Sequence, residues 1–267
     1  MAEGDTVLRA AKRIEQALGG TEVSVAAPSP RGRVAGLARL EGRTLEGVEA
    51  RGKNLLLGFG DLVLHSHLGM NGSWHVYRRG AAWHKPAGAA WAVLRGGDRE
   101  AVQFGGPTLR VLTAAAVKRD PQLARLGPDV LAEDFDLVAT VRSLRGRSVR
   151  TYGRYPTISS KARGPSLGEA LLDQGRVAGI GNIFKSEACF AARLDPRRPL
   201  EDLTDAELRN VLRTARHQMK AAVADGRHPR AVYRCAGRPC PVCGTPIASG
   251  GQGDANRTSY WCPRCQR

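Results

Sequence analysis

Leu171-Leu172-Asp173-Gln174, running through Val177-Ala178-Gly179-Ile180-Gly181-Asn182-Ile183, is the stretch on which the reading of this chain turns. Two glycines flank Ile180 just before an apolar run of helical spacing begins. Glycine lets backbone N–H groups approach an anion closely, and a helix N-terminus favours negative charge, so Gly-x-Gly-Asn at a helix start fits a phosphate contact. Asn182 adds a side-chain donor, and it is equally an ordinary N-cap residue. Outward from this turn, helical periodicity marks residues 131–144, 166–173, 183–192 and 204–224.

Further along lies Cys240-Pro-Val-Cys243, then 18 residues, then Cys262-Pro-Arg-Cys265. Each C-x2-C turn aims two thiolates at one point, and two such turns complete a tetrahedron around Zn²⁺. A closed four-thiolate shell assigns one structural Zn²⁺ to Cys240, Cys243, Cys262 and Cys265, with a role in folding rather than chemistry. Cys235 is an alternative ligand of less regular spacing, and Cys189 sits in an apolar run as a small hydrophobe. The alternative of two disulfides conflicts with a reducing compartment. Arg257 falls at the tip or second strand of the ribbon hairpin, where an arginine can grip a phosphate or simply face solvent.

Towards the start, residues 3–19 place Val7, Leu8, Ala11, Ile14, Ala17 and Leu18 at helical spacing, with Asp5 or Thr6 as a cap. From about residue 22 to 114 short apolar runs alternate with glycines. Leu55-Leu56-Leu57 and Leu62-Val63-Leu64 around Gly60-Asp61 predict a β-hairpin, and runs at 90–94 and 109–112 predict a sandwich or barrel. No strand–helix alternation supports a parallel α/β sheet. The fold class is therefore α+β and multidomain, divided at 1–118, 119–230 and 231–267.

The chain has 267 residues, 42% of them hydrophobic, and a formal net charge of +16. So large a basic excess points to phosphate backbones. Residues 141–163 hold seven Lys/Arg (Arg142, Arg145, Arg147, Arg150, Arg154, Lys161 and Arg163) and no acid, with Tyr152 and Tyr155 interleaved. This stretch is read either as a loop on DNA phosphates or as a solvated insertion. No apolar run reaches membrane-spanning length, and Glu3 and Asp5 exclude a secretory signal, so a cytoplasmic location is expected.

Together the opening Met-Ala-Glu-Gly-Asp-Thr, the central Gly-x-Gly-Asn stretch and the cysteine tail resemble the formamidopyrimidine-DNA glycosylase/endonuclease VIII family. The resemblance runs end to end and is closest to the endonuclease VIII-like branch seen in actinobacteria. It implies an N-terminal β-sandwich with flanking helices, a helix–two-turn–helix domain and a C-terminal zinc finger. The implied function is base-excision repair in a bacterial nucleoid: a monomeric glycosylase and abasic-site lyase acting on damaged double-stranded DNA. The long basic stretch extends the expected substrates to single-stranded or crosslinked DNA.

Residue by residue, the resemblance makes Glu3 the proton shuttle and Lys53 the holder of the reacting nucleotide's phosphate. Met70, in His67-Leu68-Gly69-Met70, would fill the hole left by an extruded base, and Asn182 would clamp the backbone. Read without the family, Glu3 is an acid in a first helical turn, Lys53 a surface lysine and Met70 a core residue. Family members expose an N-terminal proline as nucleophile, whereas this chain has Ala2. Removal of Met1 would expose a primary amine there, which still forms imines. The alternative is a lesion-binding protein with the chemistry lost at Ala2. The Arg-Phe pair that probes the opposite base in formamidopyrimidine-type members is missing from the corresponding residues 101–106.

Overall fold

A computed structural model describes residues 2–146, 164–253 and 257–267. The basic stretch therefore falls largely outside the described residues. Its first part, through residue 146, is described, and there Arg145 binds Asp205 at 2.7 Å. The chain forms two compact units, Met1–Ala124 and Arg125–Arg267.

In the first unit the order is α1 (Gly4–Leu18), β1 (Glu22–Ala26), α2 (Pro30–Arg33), β2 (Arg43–Thr44), β3 (Gly47–Arg51), β4 (Asn54–Phe59) and β5 (Leu62–His67). There follow β6 (Ser73–Arg78), β7 (Ala90–Gly96), β8 (Arg99–Phe104), β9 (Thr108–Thr113), α3 (Ala114–Lys118) and α4 (Pro121–Ala124). Two antiparallel sheets form, ordered β2-β1-β7-β8-β6 and β3-β4-β5-β9. Leu55, Leu57, Phe59 and Leu64 from one sheet meet Val23, Ala92, Leu94 and Ala101 from the other, and α1 adds Val7, Ile14 and Leu18 to the same core. Val7, Ile14 and Leu18 are wholly buried, each contributing roughly 1.5–3 kcal/mol by area. This is the sandwich with a flanking helix that the sequence predicts.

One cap differs from expectation. The N-cap of α1 is Glu3, in extended conformation, and its side chain makes no capping bond. Asp5 and Thr6 lie within the first turn, because helical geometry already begins at Gly4.

In the second unit α5 (Leu137–Arg145), α6 (Leu167–Leu172), α7 (Asn182–Ala191) and α8 (Asp205–Asp225) surround a core of Leu171, Ile180, Phe184, Leu208, Leu212 and Met219. The helix expected from residue 131 starts only at Leu137. Asp136 accepts hydrogen bonds from the amides of Val138 and Ala139 and so fixes the start there. Gly181, not Asn182, is the N-cap of α7. Reciprocal capping boxes, Ser166 with Glu169 and Thr204 with Glu207, open α6 and α8.

The ribbon strands β10 (Ala248–Gln252) and β11 (Arg257–Trp261) pair antiparallel and pack within this unit. Buried Glu187 of α7 accepts the amides of Ala231, Val232 and Tyr233 at 2.9, 3.0 and 2.7 Å, which tethers the segment leading into the ribbon. No helix among the described residues is long and apolar enough to cross a membrane.

Candidate functional site

The first cluster forms where α1 begins. The amide of Ala2 donates to the Gly69 carbonyl at 3.2 Å, and Glu3 beside it is wholly buried. A carboxylate without solvent is held by protein groups, because its desolvation is otherwise too costly. Lys53 occupies the two-residue turn between β3 and β4, since Arg51 and Asn54 close the ladder on either side. Asn54 pairs in register with His67 on β5, and the Lys53 charge adds to burial in lowering the His67 pKa. Hairpin, strand and helix start therefore bring Ala2, Glu3, Lys53 and His67 to one edge of the first unit.

The loop after His67 carries Met70, which is 54% exposed. Its residue-alone reading as core is overturned. An apolar side chain about half exposed on a loop beside this cluster is available for contact with a partner. Gly106, at φ +119°, keeps the turn after β8 against this loop: a Cβ there would lie 2.8 Å from the His67 carbonyl.

A network that sequence reasoning missed supports the Lys53 turn. Arg110 Nε donates to His65 Nδ1 at 3.3 Å, and a guanidinium can only donate. Nδ1 is therefore the acceptor and Nε2 carries the proton, donated to Asn54 Oδ1 at 2.9 Å. Arg110 also bonds Asp120, whose other oxygen accepts the amides of Gln122 and Leu123 at the start of α4. Burial first, and then the Arg110 charge, push His65 down to about 4 from 6.5.

Because the folded pKa of His65 lies below the unfolded one, folding requires the neutral ring. Its contribution is present above pH 6.5 and is lost as pH falls towards about 4. The loss should approach about 3 kcal/mol. The urea midpoint read by pulsed hydrogen exchange on β4 and β5 should fall between pH 7 and pH 5, and His65→Gln should flatten that slope. An unchanged slope in the variant would assign the pH dependence elsewhere.

The second cluster lies at the α7 start. Asn182 Nδ2 donates to the Thr258 carbonyl at 2.8 Å, so one amide hydrogen holds strand β11 while Arg257, its exposed neighbour, opens that strand. Asn182 Oδ1 is buried without a partner among the described residues. Buried Lys185 donates to Ser259 Oγ at 2.5 Å, and Gln252 donates to Ser166 Oγ at 2.7 Å and to the Pro196 carbonyl at 2.6 Å. Asn182 and Arg257, far apart in sequence, are thus placed together by a polar seam between helix and ribbon.

The four cysteines of the ribbon have their Sγ atoms within 4.8 Å of one another. Cys240–Cys265 and Cys243–Cys262 are 3.8 and 3.5 Å apart, and a tetrahedron with Zn–S of about 2.3 Å has edges of roughly 3.8 Å. The Val242 and Cys265 amides point at Cys240 and Cys262 sulfurs. The Thr245 hydroxyl holds Cys243 down to about 6. The adjoining Cys243 sulfur pushes Cys265 up to about 12. Four cysteine sulfurs at this spacing match the edges of a zinc tetrahedron, and once deprotonated the donor set fits structural Zn²⁺. Cys235 lies outside the cluster, its Sγ 3.5 Å from the Tyr233 carbonyl, which closes the alternative left by spacing alone. Cys189 is fully buried, its thiol raised to about 12 by desolvation.

Three family descriptions match the chain: the formamidopyrimidine-DNA glycosylase N-terminal domain over residues 1–107, the H2TH domain of that glycosylase over 126–231, and a zinc finger found in FPG and IleRS over 237–267. The "Probable endonuclease 8 2" of Streptomyces coelicolor is 38% identical across 100% of this chain and 94% of that protein. The "DNA-(apurinic or apyrimidinic site) lyase Nei2" of Mycolicibacterium smegmatis is 33% identical across 100% of this chain and 99% of its own length. Among solved structures, Lactococcus lactis formamidopyrimidine-DNA glycosylase, non-covalently bound to DNA containing an AP site, superposes with a TM-score of 0.78 at 24% identity, with 100% of both chains covered.

Proposed function

The chain belongs to the formamidopyrimidine-DNA glycosylase/endonuclease VIII family, and we propose that it is a base-excision DNA glycosylase and abasic-site lyase whose attacking group is the amine of Ala2. The observation that carries this reading is the convergence of the Ala2 nitrogen, buried Glu3 and the Lys53 turn at one edge, beside a loop that holds Met70 out to solvent.

With Met1 removed, the Ala2 lone pair attacks C1′ of the damaged nucleotide. The glycosidic bond breaks, its electron pair leaves with the base, and Glu3 supplies and receives the protons at the sugar and base. Opening of the sugar ring gives an imine to Ala2. Loss of the C2′ proton then expels the 3′ phosphate. Lys53 holds the phosphate of the reacting nucleotide and Met70 takes the place of the extruded base, while Asn182 and Arg257 grip the DNA backbone. Zn²⁺, held by Cys240, Cys243, Cys262 and Cys265, fixes the ribbon that presents Arg257 and takes no part in these steps. The substrate is damaged double-stranded DNA, met in the cytoplasm by a monomer.

Ala2 itself favours a second reading, a lesion binder without turnover. Incision of abasic-site duplex, measured with borohydride trapping, separates the two. A trapped adduct mapping to Ala2 supports the lyase. Tight binding with neither incision nor adduct supports the binder, and no preference over undamaged duplex would sink both.

A further inference from the structure

Strand β7 is irregular at its start. Ala90 pairs with Phe104 and Ala92 with Gln103, which leaves Trp91 as an extra residue outside the ladder. Such bulges re-aim a side chain. Here the indole lies under Arg31, whose guanidinium carbon is 5.8 Å from the ring centroid. The turn bearing Arg31 is seated directly on the bulge: Ser29 N donates to the Ala90 carbonyl at 2.9 Å, and a Cβ on Gly32 would fall 1.8 Å from the Trp91 carbonyl oxygen. Only glycine allows that approach, so the Arg31–Trp91 pair is fixed by backbone packing rather than by chance contact of surface side chains.

This pair lines an open cleft of ≈ 620 Å³ together with Asn71, Lys85 and Gly105. Lys85 lies 5.5 Å above the Phe104 ring. Among the described residues neither Arg31 nor Lys85 has an acidic partner. An unpaired guanidinium beside an aromatic face suits a nucleotide base, which stacks against the indole and the guanidinium plane together.

The position of the cleft selects which nucleotide. Gly69, before Met70, gives its carbonyl to Ala2, whereas Asn71, after Met70, lines the cleft. The loop therefore has the reaction centre at one end and this cleft at the other, and neither Ala2, Glu3 nor Lys53 lines the cleft. If the damaged nucleotide is extruded towards Ala2, the base left facing the cleft belongs to the complementary strand.

The structure assigns this cleft, with Trp91 as stacking platform and Arg31 as its cationic cover, to the orphaned nucleotide opposite the lesion, and so makes these two residues determinants of opposite-base dependence. The assignment rests on the reading above that Met70 replaces an extruded base. It supplies, from a different part of the sheet, a contact in place of the Arg-Phe pair missing from residues 101–106.

The test is a binding titration on duplexes holding a tetrahydrofuran abasic analogue opposite A, C, G or T, or opposite a second tetrahydrofuran. The wild-type protein should bind the base-containing duplexes about tenfold more tightly than the doubly abasic one, the size expected for one stacked base. Trp91→Ala should erase that ratio while leaving affinity for the doubly abasic duplex unchanged, and Trp91→Phe should keep it. Arg31→Gln, a surface change that leaves the bulge intact, should reduce the ratio in the same direction. A ratio unaffected by Trp91→Ala and Arg31→Gln, or equal losses on both kinds of duplex, would overturn the assignment while leaving the proposed function standing. Failure of the wild-type protein to prefer any tetrahydrofuran duplex over undamaged DNA would overturn both.

Discussion

Protein stripped of zinc, or carrying Cys243→Ala, is expected to lose damaged-DNA binding by about two orders of magnitude or more while its β-sandwich stays folded. The ribbon has a small apolar core. Among the described residues its buried cluster is Val232 and Ile247 with Cys240 and Cys262, against which Phe190 and Tyr260 pack partly buried, and each strand has five residues. An isolated two-stranded hairpin is marginal in water, whereas thiolate-bound zinc contributes roughly 10–16 kcal/mol of apparent binding energy that is also folding energy. Once the hairpin opens, the Thr258 carbonyl leaves Asn182 and Ser259 leaves Lys185. Arg257 then has no fixed place, and the salt-dependent phosphate contact proposed for it goes too. Hydrogen exchange should report lost protection in β10 and β11 with β4 and β5 unchanged, alongside metal content and abasic-duplex affinity. Zinc-free protein that keeps hairpin protection and binds within twofold of the holo form would show that the metal is dispensable.

The parts of this fold that were legible in sequence are those specified by local spacing. The apolar stripe from Val7 to Leu18 is one helix, Gly60-Asp61 joins β4 to β5, and two C-x2-C turns meet in space. What escaped depends on partners distant along the chain. His65 in a strand reads as an ordinary core or surface histidine until Arg110, 45 residues on, is seen donating to it. Glu187 reads as a charge interrupting an apolar helix until the amides of residues 231–233 fold onto it. Trp91 looks like one more apolar residue of a strand, because a bulge is decided by pairing and leaves no mark in periodicity. The short helices α2, α3 and α4 are too brief to show a period. Residues 131–136 misled for the converse reason. Leu131 and Phe135 do pack against the helical core, but from a turn that Asp136 ends. Glu3 and Lys53 carry chemistry-bearing side chains with no local pattern of their own, and only the resemblance drew attention to them.

Ala2→Pro is expected to raise the rate of borohydride-trapped adduct formation on abasic-site DNA by about tenfold or more, because orientation and charge both improve at the attacking nitrogen. An imine from a primary amine must be protonated before it can draw electrons from C2′, whereas the iminium from a secondary amine is charged from the moment it forms. Proline also removes one torsional freedom from a nitrogen that must sit within bonding reach of C1′. The contact to Gly69 survives the change. The Ala2 nitrogen faces the Gly69 carbonyl at 3.2 Å, and a protonated proline amine retains hydrogens for that bond. The pH profile supplies an independent check. A free primary α-amine has a pKa of about 7.7–8.0, so the neutral nucleophile is roughly a tenth of the population at pH 7 and most of it above pH 8.5. Adduct formation by the Ala2 protein should therefore climb through that window and level off. Methionine retained ahead of Ala2, verified by intact mass, should abolish the adduct, because the Ala2 nitrogen is then an amide. If instead trapping persists with Met1 in place, or Ala2→Pro leaves the rate unchanged while incision continues, the nucleophile is another amine, and Lys53 becomes the residue to test.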